Sequence, residues 1–249
     1  MSVVNKIKTV ISNVKNFGGT RSTSKIKYIV IHYTANDGDT DEGNGRYFKN
    51  NVVKASAHYF VDSDSITQSV KDDRVAWAVG GKKYSTCSST GGGKYYGTVT
   101  NTNSISIELC DDVKNGVIYP SAKTIQNALE LTEHLMKKYN IPKSNVIRHF
   151  DVTGKPCPKY WLSDAKWKSE FWNKIGGSGA VENKPVTTTN FMVKINTDVL
   201  NVRKGGSTSY AVTAVVKRNE IYTIVEESNG WGKLKSGVGW INLKYTKKL

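Results

Sequence analysis

Ile26-Lys27-Tyr28-Ile29-Val30-Ile31-His32 is the stretch on which the fold turns. Its residues are apolar, β-branched or aromatic almost without interruption. A strand with one wet face would alternate, so this run predicts a central strand covered on both sides, as in an α/β sheet. The strand is expected at 26–31 with His32 at its carboxyl end, and a polar loop, Thr34 to Asn44, follows. In open α/β sheets, ligands bind outside the carboxyl ends of the strands, so His32 is the first candidate functional residue.

Working outward, residues 45–53 predict a short helix. Ala57-His58-Tyr59-Phe60-Val61 reads as a second strand, turned by Asp62-Ser63-Asp64-Ser65 into a hairpin partner at 66–70. Residues 80–97, rich in Gly, Ser, Tyr and Lys, read as a long surface loop. Ser104-Ile105-Ser106-Ile107-Glu108-Leu109 alternates as a strand does, and a carboxylate breaks its apolar sense near the end. Pro120-Ser121 opens an amphipathic helix carrying Ile125, Leu129, Leu135 and Tyr139. Residues 145–148 form a short strand that delivers His149, and a tryptophan-rich segment (Trp161, Trp167, Trp172) closes the domain as a helix.

The stretch Arg148-His149-Phe150-Asp151-Val152-Thr153-Gly154-Lys155-Pro156-Cys157-Pro158 packs a histidine, a lysine and a cysteine into nine residues. Imidazole and thiolate are the donors that zinc prefers, and the ammonium of a lysine can stabilise an oxyanion. One glycine and two prolines predict a shaped loop after His149 rather than a helix. By spacing alone a surface loop with a buried free thiol is an equal reading.

The bulk numbers narrow the classes. A chain of 249 residues suits one large or two unequal domains. With 38% hydrophobic residues and no apolar run of membrane-spanning length, membrane insertion is not expected. Residues 1–19 lack the apolar core of a secretory signal, so synthesis in the cytoplasm and action after release is the expectation. Three cysteines, Cys87, Cys110 and Cys157, suggest free thiols or a metal ligand rather than a disulfide framework. Neither Cys87 nor Cys110 has metal-like spacing or an arguable role. The net charge of +15 calls for an anionic partner. No dense basic run or arginine-rich helix appears, which argues against nucleic acid.

Gly176-Gly177-Ser178-Gly179 and the Thr-rich stretch to 190 read as a linker. Beyond it, short β-rich runs at 191–195, 199–202, 211–216, 221–225, 231–234 and 238–243 predict a small all-β barrel with no helix. Tyr210, Tyr222, Trp231 and Trp240 look exposed and suited to a ligand groove, although some of them must fill the core.

Residues 20–175 resemble the zinc-dependent N-acetylmuramoyl-L-alanine amidase family, which includes the peptidoglycan recognition proteins and the phage lysozyme-amidases. The resemblance rests on Ile29-Val30-Ile31-His32-Tyr33-Thr34-Ala35, Ser56-Ala57-His58-Tyr59, Asn103-Ser104-Ile105-Ser106-Ile107-Glu108 and His149-Phe150-Asp151 running to Lys155 and Cys157. Residues 191–249, with Leu200-Asn201-Val202-Arg203 and Gly239-Trp240-Ile241, resemble a bacterial SH3-like wall-binding module.

The resemblance implies a mixed central β-sheet flanked by helices, then a small SH3-like barrel. The domains it implies are a catalytic domain at 1–175, a linker at 176–190 and a wall-binding domain at 191–249. It implies zinc held by His32, His149 and Cys157, Glu108 as general base and Lys155 as oxyanion stabiliser. Thr34, His58 and Trp77 are its candidates for substrate contact, with His58 alternatively bonded within the strand layer. Many relatives carry a histidine after the Ala-Trp pair, where this chain has Ala78. The implied substrate is bacterial peptidoglycan, cleaved between N-acetylmuramic acid and L-alanine in an endolysin-type role. An autolysin of the same chemistry and a non-catalytic wall sensor are the alternatives. The sequence leaves the oligomeric state open.

Overall fold

The computed structural model describes residues 3–176, 190–206, 210–228 and 230–249. The chain separates into two compact units, Met1–Gly179 and Ala180–Leu249.

The first unit is built on a six-stranded sheet. Its strands are β1 (Ile7–Thr9), β3 (Tyr28–Tyr33), β4 (Tyr59–Val61), β5 (Ile66–Gln68), β7 (Ser104–Leu109) and β8 (Val146–Arg148), in the order β1-β5-β4-β7-β3-β8. Two further strands, β2 (Phe17–Thr20) and β6 (Arg74–Ala76), pair as a separate ribbon. The helices are α1 (Asp41–Asn50), α2 (Cys87–Thr90), α3 (Ala122–Tyr139), α4 (His149–Thr153) and α5 (Asp164–Glu170). Strands β4, β7, β3 and β8 run parallel, so their carboxyl ends share one edge.

Period-two alternation assigns the two faces of this sheet. Ile29, Ile31, Ile105, Ile107 and Val146 point into the main core, against Leu129, Leu131 and Leu135 of α3 and the rings of Trp161, Trp167 and Phe171. Val30 and Ile147 point the other way and pack with Val79, Val99 and Val152. Both faces of β3 are therefore dry, which is why its sequence does not alternate. By the same alternation Ser104, Ser106 and Glu108 lie on the Val30 face. The two serines face a second buried layer rather than water, each 1% exposed, while Glu108 at the strand end opens into a cleft.

Several element boundaries differ from the sequence expectation. Strand β3 runs two residues further and includes His32, while β4 starts later than 57. Helix α1 begins at Asp41 rather than 45, because the Thr40 hydroxyl accepts the Gly43 N–H and caps it. Gly43 and Gly45 hid this helix. Gly45 is there for packing, since a Cβ would meet Thr67 Cγ2 at 2.7 Å. The irregular start contains β1, which pairs in parallel with β5. The loop expected at 80–97 contains the single turn of α2. After His149 the chain forms a five-residue helix, not a loop: the Asp151 carboxylate accepts the Arg148 N–H at 2.8 Å, and the glycine and prolines come only afterwards.

The second unit is a seven-stranded antiparallel sheet. It contains β9 (Phe191–Ile195), β10 (Val199–Arg203), β11 (Val212–Lys217), β12 (Ile221–Ser228), β13 (Trp231–Leu234), β14 (Trp240–Asn242) and β15 (Thr246–Lys248), in the order β11-β10-β14-β13-β12-β9-β15. Its core is Val193, Ile195, Leu200, Val202, Val216, Ile224, Leu234 and Ile241. Trp231, expected at the surface, is buried, while Tyr210 is exposed. The linker expectation at 176–190 falls almost wholly outside the described residues. Among the described residues no helix is long and apolar enough to cross a membrane.

Candidate metal centre

Three neighbouring parallel strands, β7, β3 and β8, deliver the polar residues of one site. Register puts Glu108 of β7 directly beside His32 of β3. Ile31 pairs with Arg148 on the other side, so the next residue, His149, emerges at the same level. Cys157 comes back on the loop after α4, tied down by a hydrogen bond from the Phe150 N–H to its carbonyl at 2.8 Å.

Arg148 anchors this returning segment. Its guanidinium donates to Asp151 (2.6 and 3.0 Å), to Asp164 (2.6 Å) and to the carbonyls of Trp161 and Leu162 (2.8 and 2.9 Å). A planar fork with its donors satisfied fixes the chain on both sides of the histidine.

One donor atom from each of His32, His149 and Cys157 lies within 4.8 Å of the other two, and all three residues are buried. The His32 Nδ1 to Cys157 Sγ separation is 3.8 Å. Two donors on one tetrahedral ion with zinc-like bond lengths lie about 3.6 Å apart. His32 Nε2 and both ring nitrogens of His149 are buried with no hydrogen-bond partner, as is Glu108 Oε2. Buried polar atoms are ordinarily paired, so orphans converging with a thiol mark a place for a cation. The donor set and its spacing fit a metal ion.

The electrostatics agree with that use. Burial, then the charges of His149 and Lys155, push His32 well below its ordinary value. Burial and Lys155 bring His149 down to about 4. Both rings are therefore neutral at pH 7, the form that ligates. Burial, then Glu108, pushes the Cys157 thiol up, so binding a cation there displaces a proton. Burial lifts Glu108 to about 8, with Lys155 opposing and Asp39 adding to the rise. A carboxyl that titrates near neutrality suits proton transfer.

The centre lines a cleft of about 820 Å³. Lys155 is exposed and lines it, as do Thr34 and Trp77. His58 is not in that lining; of its two expected places, the bond within the strand layer is the one its contacts match. It is 1% exposed, its Nδ1 accepts the Ser106 N–H at 3.1 Å, and Nε2 lies 2.8 Å from Arg21 Nη2 and 3.2 Å from the Arg74 carbonyl. Burial and the Arg21 charge take His58 down to about 3. It belongs to the layer beneath the cleft.

Cys87 and Cys110 are free and buried, apart from the metal cluster. The Cys87 thiol donates to the Thr153 carbonyl at 3.2 Å. Asp39, Asn44 and Tyr47, which the sequence reading did not single out, line the cleft. The polar loop after β3 was the only signal for them.

Comparison with known proteins gives the same picture. Residues 22–160 match the N-acetylmuramoyl-L-alanine amidase family, and residues 198–247 match the bacterial SH3 domain. The chain is 32% identical over 199 residues to the N-acetylmuramoyl-L-alanine amidase CwlL of Bacillus licheniformis, covering 78% of this chain and 52% of that one. The chain thus spans about half the length of that relative. Among solved structures, a mutant endolysin from Bacillus subtilis is 31% identical with a TM-score of 0.53, covering 68% of this chain and 98% of that one. The PlyG catalytic domain is 29% identical with a TM-score of 0.54, covering 72% and 98%. With that match across more than half its length, joined to a bacterial SH3 domain, the chain belongs to the N-acetylmuramoyl-L-alanine amidase family.

Proposed function

We propose that this protein is a peptidoglycan hydrolase that cleaves the amide between the lactyl group of N-acetylmuramic acid and the L-alanine of the stem peptide. The observation that carries the reading is the convergence of His32, His149 and Cys157, with His32 Nε2 and both ring nitrogens of His149 orphaned, beside the unpartnered Oε2 of Glu108. Two imidazoles and a thiolate favour zinc over the harder oxygen-seeking cations. Bound there, zinc supplies Lewis acidity, polarising a carbonyl and making water acidic enough to react near neutral pH.

The chain's own groups do the rest. Glu108 accepts the proton of the attacking water and returns it to the alanine nitrogen as the C–N bond breaks, leaving a lactyl carboxylate and a free amine. The Lys155 ammonium, whose charge reaches Glu108 and both histidines, stabilises negative charge developing on the carbonyl oxygen. Thr34 and Trp77 contact substrate along the cleft wall. In this division of labour residues 1–175 are catalytic and residues 191–249 bind the wall.

The endolysin role is supported by likeness to the solved structure of a mutant endolysin from Bacillus subtilis. The test is digestion of purified peptidoglycan: new alanine amino groups should appear without new reducing sugar ends, together with near one zinc per chain that is lost in Cys157→Ser. New reducing ends, or full lysis by zinc-free protein, would refute the reading.

A further inference from the structure

We propose that Tyr160 is a positioning residue of the metal centre, its hydroxyl donating a hydrogen bond to the ligating sulfur of Cys157; this rests on the zinc reading above. Among the described residues, five buried side-chain polar atoms have no hydrogen-bond partner. Four of them belong to His32, His149 and Glu108, and the fifth is the Tyr160 hydroxyl. A buried hydroxyl left unpaired costs free energy, so a core tyrosine without a use for it would be better as phenylalanine.

Local structure ties this side chain to the ligands. Pro158 opens a single helical turn, Lys159–Trp161, in which the Trp161 N–H donates to the Pro158 carbonyl at 3.1 Å. Tyr160 thus follows Cys157 across one turn. Arg148, which precedes His149, donates to the Trp161 carbonyl at 2.8 Å and holds that turn to the ligand strand. The Tyr160 ring packs edge to face with Tyr33 and Trp161, centroids 5.4 and 4.9 Å away, and tilts against Tyr119 at 5.0 Å. Tyr33 is the residue after His32 and lines the same cleft. Two other polar tips of this aromatic cluster are committed elsewhere. The Tyr119 hydroxyl and Trp161 Nε1 both donate to Glu170 Oε2, at 2.7 and 2.8 Å.

The Tyr160 hydroxyl takes no part in that arrangement. The groups that act on it, after burial itself, are Cys157 first and then Tyr119, Glu108 and Tyr33, all of which hold its proton in place. It is therefore a donor in need of an acceptor. A neutral thiol accepts hydrogen bonds weakly, whereas a metal-bound thiolate accepts them strongly. A donor unpaired beside the thiol thus gains its partner once the sulfur is a ligand. Such outer contacts fix the direction of a ligand and tune how much charge it gives the metal. Glu108 is the competing acceptor, since its Oε2 is also unpaired. A phenol bound there would act on the base and leave the sulfur untouched.

Tyr160→Phe in the full-length protein removes the hydroxyl and keeps the ring. Stripped of metal, the variant should melt at the same temperature as the unsubstituted protein or higher, because an unpaired group has gone. Its zinc affinity should nevertheless fall about tenfold, the size of a contact to a metal ligand from outside. In the cobalt-loaded protein the sulfur-to-cobalt charge-transfer band should move to longer wavelength, since a thiolate relieved of a donor gives up an electron more easily. Tyr119→Phe is the control: it loses a bond to Glu170, so it should lower the melting temperature and leave the band in place. Unchanged affinity and band in Tyr160→Phe, or an equal band shift in Tyr119→Phe, would overturn the proposal. So would a displaced pH profile of hydrolysis with an unmoved band, which assigns the hydroxyl to Glu108. If the unsubstituted protein shows no such band, the metal reading of His32, His149 and Cys157 fails and takes this proposal with it. A band that is present but indifferent to Tyr160→Phe removes Tyr160 alone.

Discussion

At the scale of the residue, Glu108 shows how a function is set against stability. The parallel register forces its carboxylate beside His32, where partial burial at the cleft floor raises its pKa. The amide of Gln is close in shape but cannot take a proton from water. Glu108→Gln is expected to keep its zinc and lose about 10²–10⁴ in rate on a soluble muropeptide. Turnover within a few-fold of the unsubstituted protein would remove Glu108 from the role. The same substitution has a signed stability effect. A carboxyl raised to about 8 from 4.5 binds its proton more tightly folded than unfolded, so its contribution is lost as pH rises between those values. In zinc-free protein, Glu108→Gln should therefore be more stable than its parent at pH 8.5, by a few kcal/mol at most, with the gap closing toward pH 4.5. The buried imidazoles titrate in both proteins and cancel in the difference. Denaturant melts at the two pH values measure it, and a gap that widens on acidification contradicts the assignment.

At the scale of the element, α4 and the turn after it decide whether three ligands meet. Gly154 closes α4 at φ +80, and a Cβ there would sit 2.1 Å from Cys87 Sγ. The 84–95 segment grips α4 along its length: the Tyr84 N–H donates to the Thr153 carbonyl, the Gly93 N–H to Phe150 and the Tyr95 N–H to Asp151. Gly154→Ala combines a left-handed backbone penalty of about 1–2 kcal/mol with this overlap. It should destabilise the protein and weaken zinc retention. Adding Cys87→Ala removes the overlapping sulfur and should restore part of the loss, leaving about the backbone penalty. A double-mutant cycle by melting tests this, and strictly additive losses would show that the two sites are independent. This interlock was not legible in the sequence, where Cys87 sits in a Gly- and Ser-rich stretch with nothing to announce its partner 66 residues away. The strand ends were legible. His32 closes an apolar run, and Glu108 interrupts a Ser-Ile alternation, so each stands out against its own element. His58 also stood out, but its direction depends on Arg21 and Ser106, brought to it from other elements. Asp39 was hidden for a related reason: a loop carboxylate gains meaning only from the cleft it lines.

At the scale of the whole molecule, the chain has two units with separate cores, and under the proposed function they would divide the labour of attacking an insoluble substrate. All the groups proposed for chemistry lie in the first unit. The second, from residue 186 on, carries ten basic residues against four acidic ones. Exposed Lys247 and Lys248 of its edge strand β15 sit beside Lys194 and Val193 of β9, and like charges placed side by side do not stabilise a sheet. They suit attraction to an anionic wall, an attraction that salt screens within about 10 Å at 0.1 M. Holding the first unit at its substrate raises the effective concentration without any new active-site contact, a gain of about 10²–10⁴ in apparent affinity. A chain ending at Gly179 should therefore hydrolyse a small soluble muropeptide as fast as the full chain while losing most of its activity on intact walls. Rising salt should weaken full-chain action on walls and leave the soluble reaction of the shortened chain nearly unchanged. Turbidity loss of wall suspensions, set beside amine release from the muropeptide, separates the two. Equal loss on both substrates would mean that the second unit supports the catalytic geometry itself, and the tethering account would fall.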